Sequence, residues 1–209
     1  MFFRRARAAI IVGWWIVTAA LSLSSASAAV PNLPASRQQV QYTFDFSSAD
    51  APRHWTDDGK WANYITQVAA IRTEDQTPAI QVSFQGGVQL AHRFGGVTKD
   101  KVYVIDLVAR TSGQVESLDL AIRRIPHDWH MFGQAPIQPS TQWRNYRVQI
   151  RADRNEAADV AGLYLLGRGV GTIQIARLRV SVADAFDTSA MPAPDRSALL
   201  VNPDFSLKN

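Results

Sequence analysis

The chain has 209 residues, a net charge of +4 and no cysteine. Without cysteine neither disulfides nor thiolate metal sites are available, so any fold rests on its core alone. Three of the four excess positive charges are Arg4, Arg5 and Arg7; roughly +1 remains without them, too little to mark a nucleic-acid binder.

Residues 1–28 read as a secretory signal peptide. The three arginines precede an apolar run over 8–23 that contains Trp14 and Trp15, and Ala26-Ser27-Ala28 is an A-x-A cleavage signal. A cut after Ala28 or Ala29 makes the protein secreted or periplasmic. Left uncut, the same segment is close to the lower length limit for a membrane anchor, and that is the only membrane contact expected. Residues 29–39, with Pro31, Pro34 and small polar residues, read as a linker.

Strand signals follow closely. Val40, Tyr42, Phe44 and Phe46 alternate with polar residues, as do Ile80, Val82 and Phe84. Gly86-Gly87 reads as a turn into 88–94. The same alternation recurs over 103–110, 118–123 and 145–150. It is the pattern of antiparallel strands with one face in the core and one in water. No segment after residue 28 has a long amphipathic helical period; only 155–161 has room for a helical turn. Residues 161–182 read as two strands joined by a Gly-rich turn. Ile173 and Ile175 keep one phase, then Leu178, Val180 and Val182 keep the other, and one slip at Ala176-Arg177 reconciles them, as a β-bulge does.

The expected fold is therefore all-β, an antiparallel β-sandwich over residues 40–183. Roughly 150 residues suffice for one such core. Residues 184–199, rich in Ala, Pro, Asp and Ser, read as a second linker, and 200–209 as the start of a further module.

Four stretches together resemble carbohydrate-binding modules of the family 4/9 type, which are galactose-binding-like jelly rolls. They are YVIDLVAR over 103–110, Trp143-Arg144-Asn145-Tyr146, TIQIARLRV over 172–180, and Asn202-Pro203-Asp204-Phe205-Ser206, which is close to the family's opening motif. The resemblance covers roughly 40–182. It implies an exported, non-catalytic module that binds a polysaccharide or oligosaccharide and forms the N-terminal accessory part of a larger glycan-active protein. The alternative from another class is a structural or protein-interaction spacer without a sugar site; a small glycan lyase or hydrolase is a third reading. Ala176 stands where the family often carries an Asp of a structural calcium site. Calcium needs several carboxylate oxygens, so no cofactor is expected.

If sugars are the ligand, aromatic rings outside the core are the first candidates, because a sugar's C–H face stacks on them while polar groups fix its hydroxyls. Trp55, Trp61 and Tyr64 lie in a polar stretch without strand alternation; each either faces a ligand or caps the open end of the sandwich. Trp129 lies in the connection 125–133, flanked by His127, Asp128 and His130, and either binds or folds back over the core. The two histidines lack a third nearby ligand and are a poor metal pair. Asp106, Arg110 and Arg123 occupy polar phases of their strands; they are either hydrogen-bonding groups of a concave sheet or an ordinary solvated face. Tyr164, out of phase with Leu163 and Leu165, is expected on the outer face of its strand. Trp143 is expected in the core or at its rim.

Enzyme motifs are missing. G-x-S-x-G, H-E-x-x-H and a P-loop do not occur, and only three glutamates are present, Glu74, Glu116 and Glu156. Nothing in the spacing of the carboxylates marks the facing pair that a glycosidase uses.

Overall fold

A computed structural model describes residues 29–35, 38–57, 65–125, 130–158 and 160–187. The expected signal peptide at 1–28 and the module start at 200–209 lie outside them. The described chain is an antiparallel β-sandwich of jelly-roll type. Its strands are β1 (Gln39–Thr43), β2 (Thr56–Asp57), β3 (Ile65–Arg72), β4 (Pro78–Arg93), β5 (Val102–Arg124), β6 (Met131–Pro136), β7 (Arg144–Arg151) and β8 (Ala161–Ala183), with one short 3-10 turn at Ala51–His54. The described residues within 155–161 form no helix; Glu156 instead bridges to Val97.

Three strands are longer than expected. Gly86-Gly87 and the glycines at 167–171 were read as turns, yet β4 and β8 run straight through them, and β5 joins two segments read as separate strands. The reason lies across the strands. Gly86 pairs with Gly169, Phe84 with Gly171 and Val88 with Gly167; on the other side Gly113 pairs with Gly171. Glycine meets glycine where β4, β8 and β5 cross from one layer to the other, and there the backbones come too close for side chains.

Each long strand therefore serves both layers. Layer one holds β3, residues 78–85 of β4, the second half of β8, residues 102–110 of β5, then β7, with β1 along β8 beyond β4. Layer two holds β2, residues 88–93 of β4, the first half of β8, residues 118–124 of β5, and β6. Ile80, Ile105, Leu178 and Val148 from layer one share a single core with Leu90, Leu120, Leu163 and Phe132 from layer two. The approach is close: a methyl group on Gly133 of β6 would meet the Ile150 side chain of β7 at 2.8 Å.

The expected bulge is present. Val108 pairs with Arg177 but Ala109 pairs with Ile175, which leaves Ala176 as the extra residue. It puts Ala176 and Arg177 together on the outer face of layer one. Residues 29–35, read as linker, lie on that face. Val30 is 8% exposed and packs with Ala79, Val108, Trp143 and Ala176. Arg177 Nε donates to the Pro31 carbonyl at 3.1 Å and Arg179 to the Pro34 carbonyl at 2.6 Å. The second linker also begins attached to the sheet: the Gln149 amide donates to the Asp187 carbonyl at 2.9 Å and accepts from the Asp187 N–H at 2.7 Å.

Candidate functional site

Between β1 and β2 the chain crosses from layer one to layer two and covers the open edge of the sandwich. Phe44 stays tied to layer one, its N–H donating to the Leu178 carbonyl at 3.0 Å. Beyond it, Asp45 accepts from the Ser47 hydroxyl and N–H, at 2.6 and 2.8 Å, which turns the chain inward. These bonds to Ser47 hold the Asp45 carboxyl below its usual range. The 3-10 turn, with Pro52 in its first turn, then delivers Trp55 to layer two.

This crossing leaves a cleft of about 170 Å³ bounded by Tyr42, Phe44, Phe46 and Trp55, with Asp45, Ser48, His54 and His92 as its polar groups. The walls are aromatic rings in mutual contact. Phe44 lies 5.8 Å from Trp55 and 4.8 Å from Tyr42, ring centre to ring centre. His92 sits at the centre, 4.5 Å from Phe44 and 5.2 Å from Trp55 in edge-to-face geometry. Its Nδ1 stands 2.7 Å from the Arg93 carbonyl, so Nδ1 carries the proton and Nε2 is the acceptor. Burial holds the His92 imidazole below its ordinary 6.5; the Arg93 carbonyl opposes that shift and neighbouring His54 adds to it.

The shift has a measurable consequence. A folded-state value below the unfolded one means that the unfolded chain takes up the proton first. The neutral ring contributes stability fully above pH 6.5, and that contribution is lost as pH falls towards the lower folded value. Melting curves of the parent should drop more steeply between about pH 6.5 and pH 5 than those of His92→Gln. Parallel slopes would show that the folded protein does not lower the His92 value.

The expected site residues are dispersed. Trp55 is only 6% exposed and belongs to the core cluster, so it caps the edge and offers the cleft one side of its ring. Asp106 is 1% exposed on the outer face of layer one. It accepts from Arg147 Nε and Arg179 Nη2, both at 2.7 Å, and is an internal ion-pair centre rather than a free sugar ligand. Arg110 lies on the same face, over the Trp143 ring at 4.7 Å, and donates to Gln174 at 2.7 Å and to Glu74 at 2.5 Å. Arg123 lies on the opposite outer face, that of layer two, over the Tyr164 ring at 5.7 Å. The three strand residues therefore share no surface, because β5 presents the outer face of layer one before its glycine and that of layer two after it.

Tyr164 has the expected orientation but is fully buried among Ala91, Ala121 and Ile125. Trp143 is buried as expected. His130 Nε2 stands 2.8 Å from an Asp153 oxygen and its ring packs edge-on to Phe132. Trp61, Tyr64, His127 and Trp129 lie outside the described residues. Their two stretches attach to opposite edges of layer two: the chain leaves β2 after Asp57 at one edge and leaves β5 at Ile125 at the other. Among the described residues no three His, Asp or Glu side chains are placed to hold a metal ion.

Tyr42, Phe44, Phe46, His54 and His92 were not weighed as site residues. The first three read as a core phase, which they are, and nothing in a strand-phase histidine distinguishes a cleft wall from a packed core. A signal was available in the number of rings within 42–55, four with His54 counted in addition, which exceeds what one edge strand needs.

No family model matches the sequence, and no curated protein matches it. Solved structures of similar fold exist. The CBM22-1 xylan-binding domain from Paenibacillus barcinonensis is 16% identical, with a TM-score of 0.49, over 73% of this chain and all of that one. A CBM4 structure is 13% identical, with a TM-score of 0.49, over 71% and 99%. A carbohydrate-binding module studied for mannan recognition is 19% identical, with a TM-score of 0.45, over 69% and 98%. At this identity and superposition the likeness concerns strand architecture and says nothing of the ligand of this chain.

Proposed function

We propose that this chain is an exported, non-catalytic β-sandwich that binds carbohydrate, the accessory module of a larger glycan-active protein, as its resemblance to the family 4/9 type implies. The observation that carries the reading is the edge cleft. The half-buried Tyr42 ring offers an apolar face for a pyranose C–H face, with the largely buried Phe44 and Trp55 as the floor behind it, and Asp45, Ser48, His54 and His92 supply hydroxyl partners beside it. The arrangement of carboxylates supports a binding role. The one fully buried carboxylate among the described residues, Asp106, is neutralised by two arginines and lies on the face of layer one, away from the cleft. It has no facing acid across an open groove, which glycoside hydrolysis uses.

The size of the cleft narrows the ligand. Sites for drug-sized ligands run to roughly 300–1,000 Å³, whereas this one measures about 170 Å³. The proposed ligand is therefore a single sugar residue, at a chain end or on a side branch, rather than a stretch of backbone. Trp61, Tyr64, His127, Trp129 and His130, expected from sequence as binding residues, are not among the described residues that line this cleft and are tested separately.

Calorimetry or affinity electrophoresis on a glycan panel tests this. Tyr42→Ala removes a half-buried ring, and binding should weaken about tenfold, the loss of roughly 1 kcal/mol or more for one stacking partner. Trp129→Ala and Trp61→Ala report on the candidates expected from sequence, and Trp55→Phe keeps the edge filled while changing the ring. Binding by none of the panel, with every variant like the parent, would leave the spacer reading. Turnover of a glycan would sink the non-catalytic one.

A further inference from the structure

Outside the cleft, a segment of the chain lies across the outer face of layer one. Among the described residues Val30 is the first whose side chain is buried there, and Ala29 before it is exposed. Its seat is built by small residues: Ala79 from β4 and the bulged Ala176 from β8 leave a notch walled by Val108 and Trp143. At the mouth of the notch the Val30 N–H donates to Asp75 Oδ2 at 3.0 Å. Asp75 is oriented by its own loop. Its other oxygen accepts from the Thr73 hydroxyl and, at 3.3 Å, from the Thr77 N–H. Thr73, then the Val30 N–H, hold its carboxyl well below the usual range, so it is an anion at any physiological pH.

An anion fixed against a backbone nitrogen, beside a pocket for that residue's side chain, is placed to pair with an ammonium group formed at that nitrogen. The nitrogen in question lies at the edge of the sequence's own cleavage signal: Ser27 and Ala29 are small residues three and one before it. We propose that the mature protein begins at Val30 and that Asp75 is the receptor for its α-ammonium group. The inference rests on the export reading. A leader-removing peptidase hydrolyses the Ala29–Val30 bond. Water adds its oxygen to the Ala29 carbonyl carbon as the C–N bond breaks, which leaves a carboxylate on the discarded leader, and both of its protons end on the Val30 nitrogen, which becomes an ammonium. The neutral N–H bond to Asp75 then becomes an ion pair, charge-assisted and shorter. The strap of residues 30–34 tightens onto the bulge, through Pro31 to Arg177 and Pro34 to Arg179. Processing thus completes the fold.

The pair has a defined pH signature. An α-amino group ordinarily titrates near 7.7–8.0, and an adjacent carboxylate raises that value in the folded state. The added stability is fully present below about pH 7.7 and is lost as pH rises through the raised folded value. The other charged groups at this point are Glu74, paired with Arg110 at 2.5 Å, Arg72 on the Gln76 carbonyl at 3.0 Å, and Arg177 on the Pro31 carbonyl. They are carboxylate and guanidinium groups, classes that do not titrate between pH 7 and 10.

The test begins with the protein exported by a cell carrying the full chain, examined by intact mass and amino-terminal sequencing. The expected first residue is Val30. A first residue of Ala29, or any other, overturns the capture and leaves export intact; a chain retained uncut inside the cell overturns both. Two purified forms are then melted from pH 7 to pH 10, one starting at Val30 and one at Ser27. The Val30 form should lose about 2–4 °C more over that range, and Asp75→Asn should abolish the difference. Equal slopes in the two forms, or a difference that survives Asp75→Asn, overturn the proposal.

Discussion

Asp106→Ala should lower the melting temperature more than any other single charge change in this protein. The carboxylate is 1% exposed and each oxygen accepts from a different guanidinium, Arg147 of β7 and Arg179 of β8. Removing it leaves two cations, on the two strands that flank β5, with their mutual repulsion and no counter-charge at the centre. Breaking a buried pair in this way costs about 3 kcal/mol or more, which for a domain of this size lowers Tm by roughly 6–12 °C. The damage should spread, because Arg179 also holds the Pro34 carbonyl and Arg147 lies 3.8 Å from Asp187. Loss of the centre therefore loosens both flanking segments. Replacing all three groups by apolar residues of like size should recover most of the stability, since the desolvation penalty disappears together with the attraction. Arg110→Ala, a partly exposed pair on the same face, should cost about 1 kcal/mol or less. Differential scanning calorimetry of the four proteins checks the order. If Asp106→Ala melts like the parent while glycan affinity falls, the residue is a ligand contact and the structural assignment is wrong.

Gly169→Ala should be the most damaging change outside the charged residues. Gly169 has φ +124°, a conformation that side chains rarely adopt, and it sits where β8 crosses between layers with Gly86 beside it. An added Cβ would fall inside the contact radius of the Gln114 carbonyl oxygen, with the Glu116 nitrogen at 3.0 Å and Val115 Cα at 3.1 Å. All three neighbours are backbone in a paired strand, so none can rotate away. Backbone strain of ~1–3 kcal/mol adds to the overlap, and the sum should exceed about 3 kcal/mol, enough to leave little soluble protein. Gly133→Ala offers the contrast. Its Cβ would meet only the Ile150 side chain, which can change rotamer, and the expected cost is about 1–2 kcal/mol. Soluble yield and denaturant midpoints distinguish the two; equal effects would mean that the crossing tolerates a shift of β5 against β8.

Much of this architecture was legible before any coordinates. The phase change between Ile175 and Leu178 requires one extra residue if both halves face the core, and Ala176 is that residue in the register of β5 and β8. Tyr164 was placed on the outer side of its strand by the same parity. The glycines were misread because a strand that crosses between layers and a strand that turns back both need residues without side chains; only the pairing of Gly86 with Gly169, far apart in sequence, separates the two. Val30 and Pro31 looked like linker for a related reason. Prolines and small residues suit a solvated tether, and they equally suit a strap whose carbonyls are met by Arg177 and Arg179 from the sheet.

Asp106, Arg110 and Arg123 show where strand parity stops being informative. Alternation tells that a side chain points away from the core. It does not tell which of two outer faces receives it, nor whether a neighbouring strand brings an arginine alongside. Those depend on the crossing at Gly113 and on the registers of β7 and β8, which are long-range pairings.

By itself the sequence determined the class of fold, the parity of each strand and the site of the bulge, because these follow from local alternation and the requirement to bury one face. It also raised the expectation of an export signal and named aromatic residues as candidates for a sugar surface. Tertiary structure decided which groups meet. Hydrogen-bond pairing between distant strands made Asp106 an ion-pair centre, brought Trp55 and His92 to one edge, and set Val30 against Asp75. Those contacts depend on how three long strands bend and cross, and no local pattern in the chain carries that information.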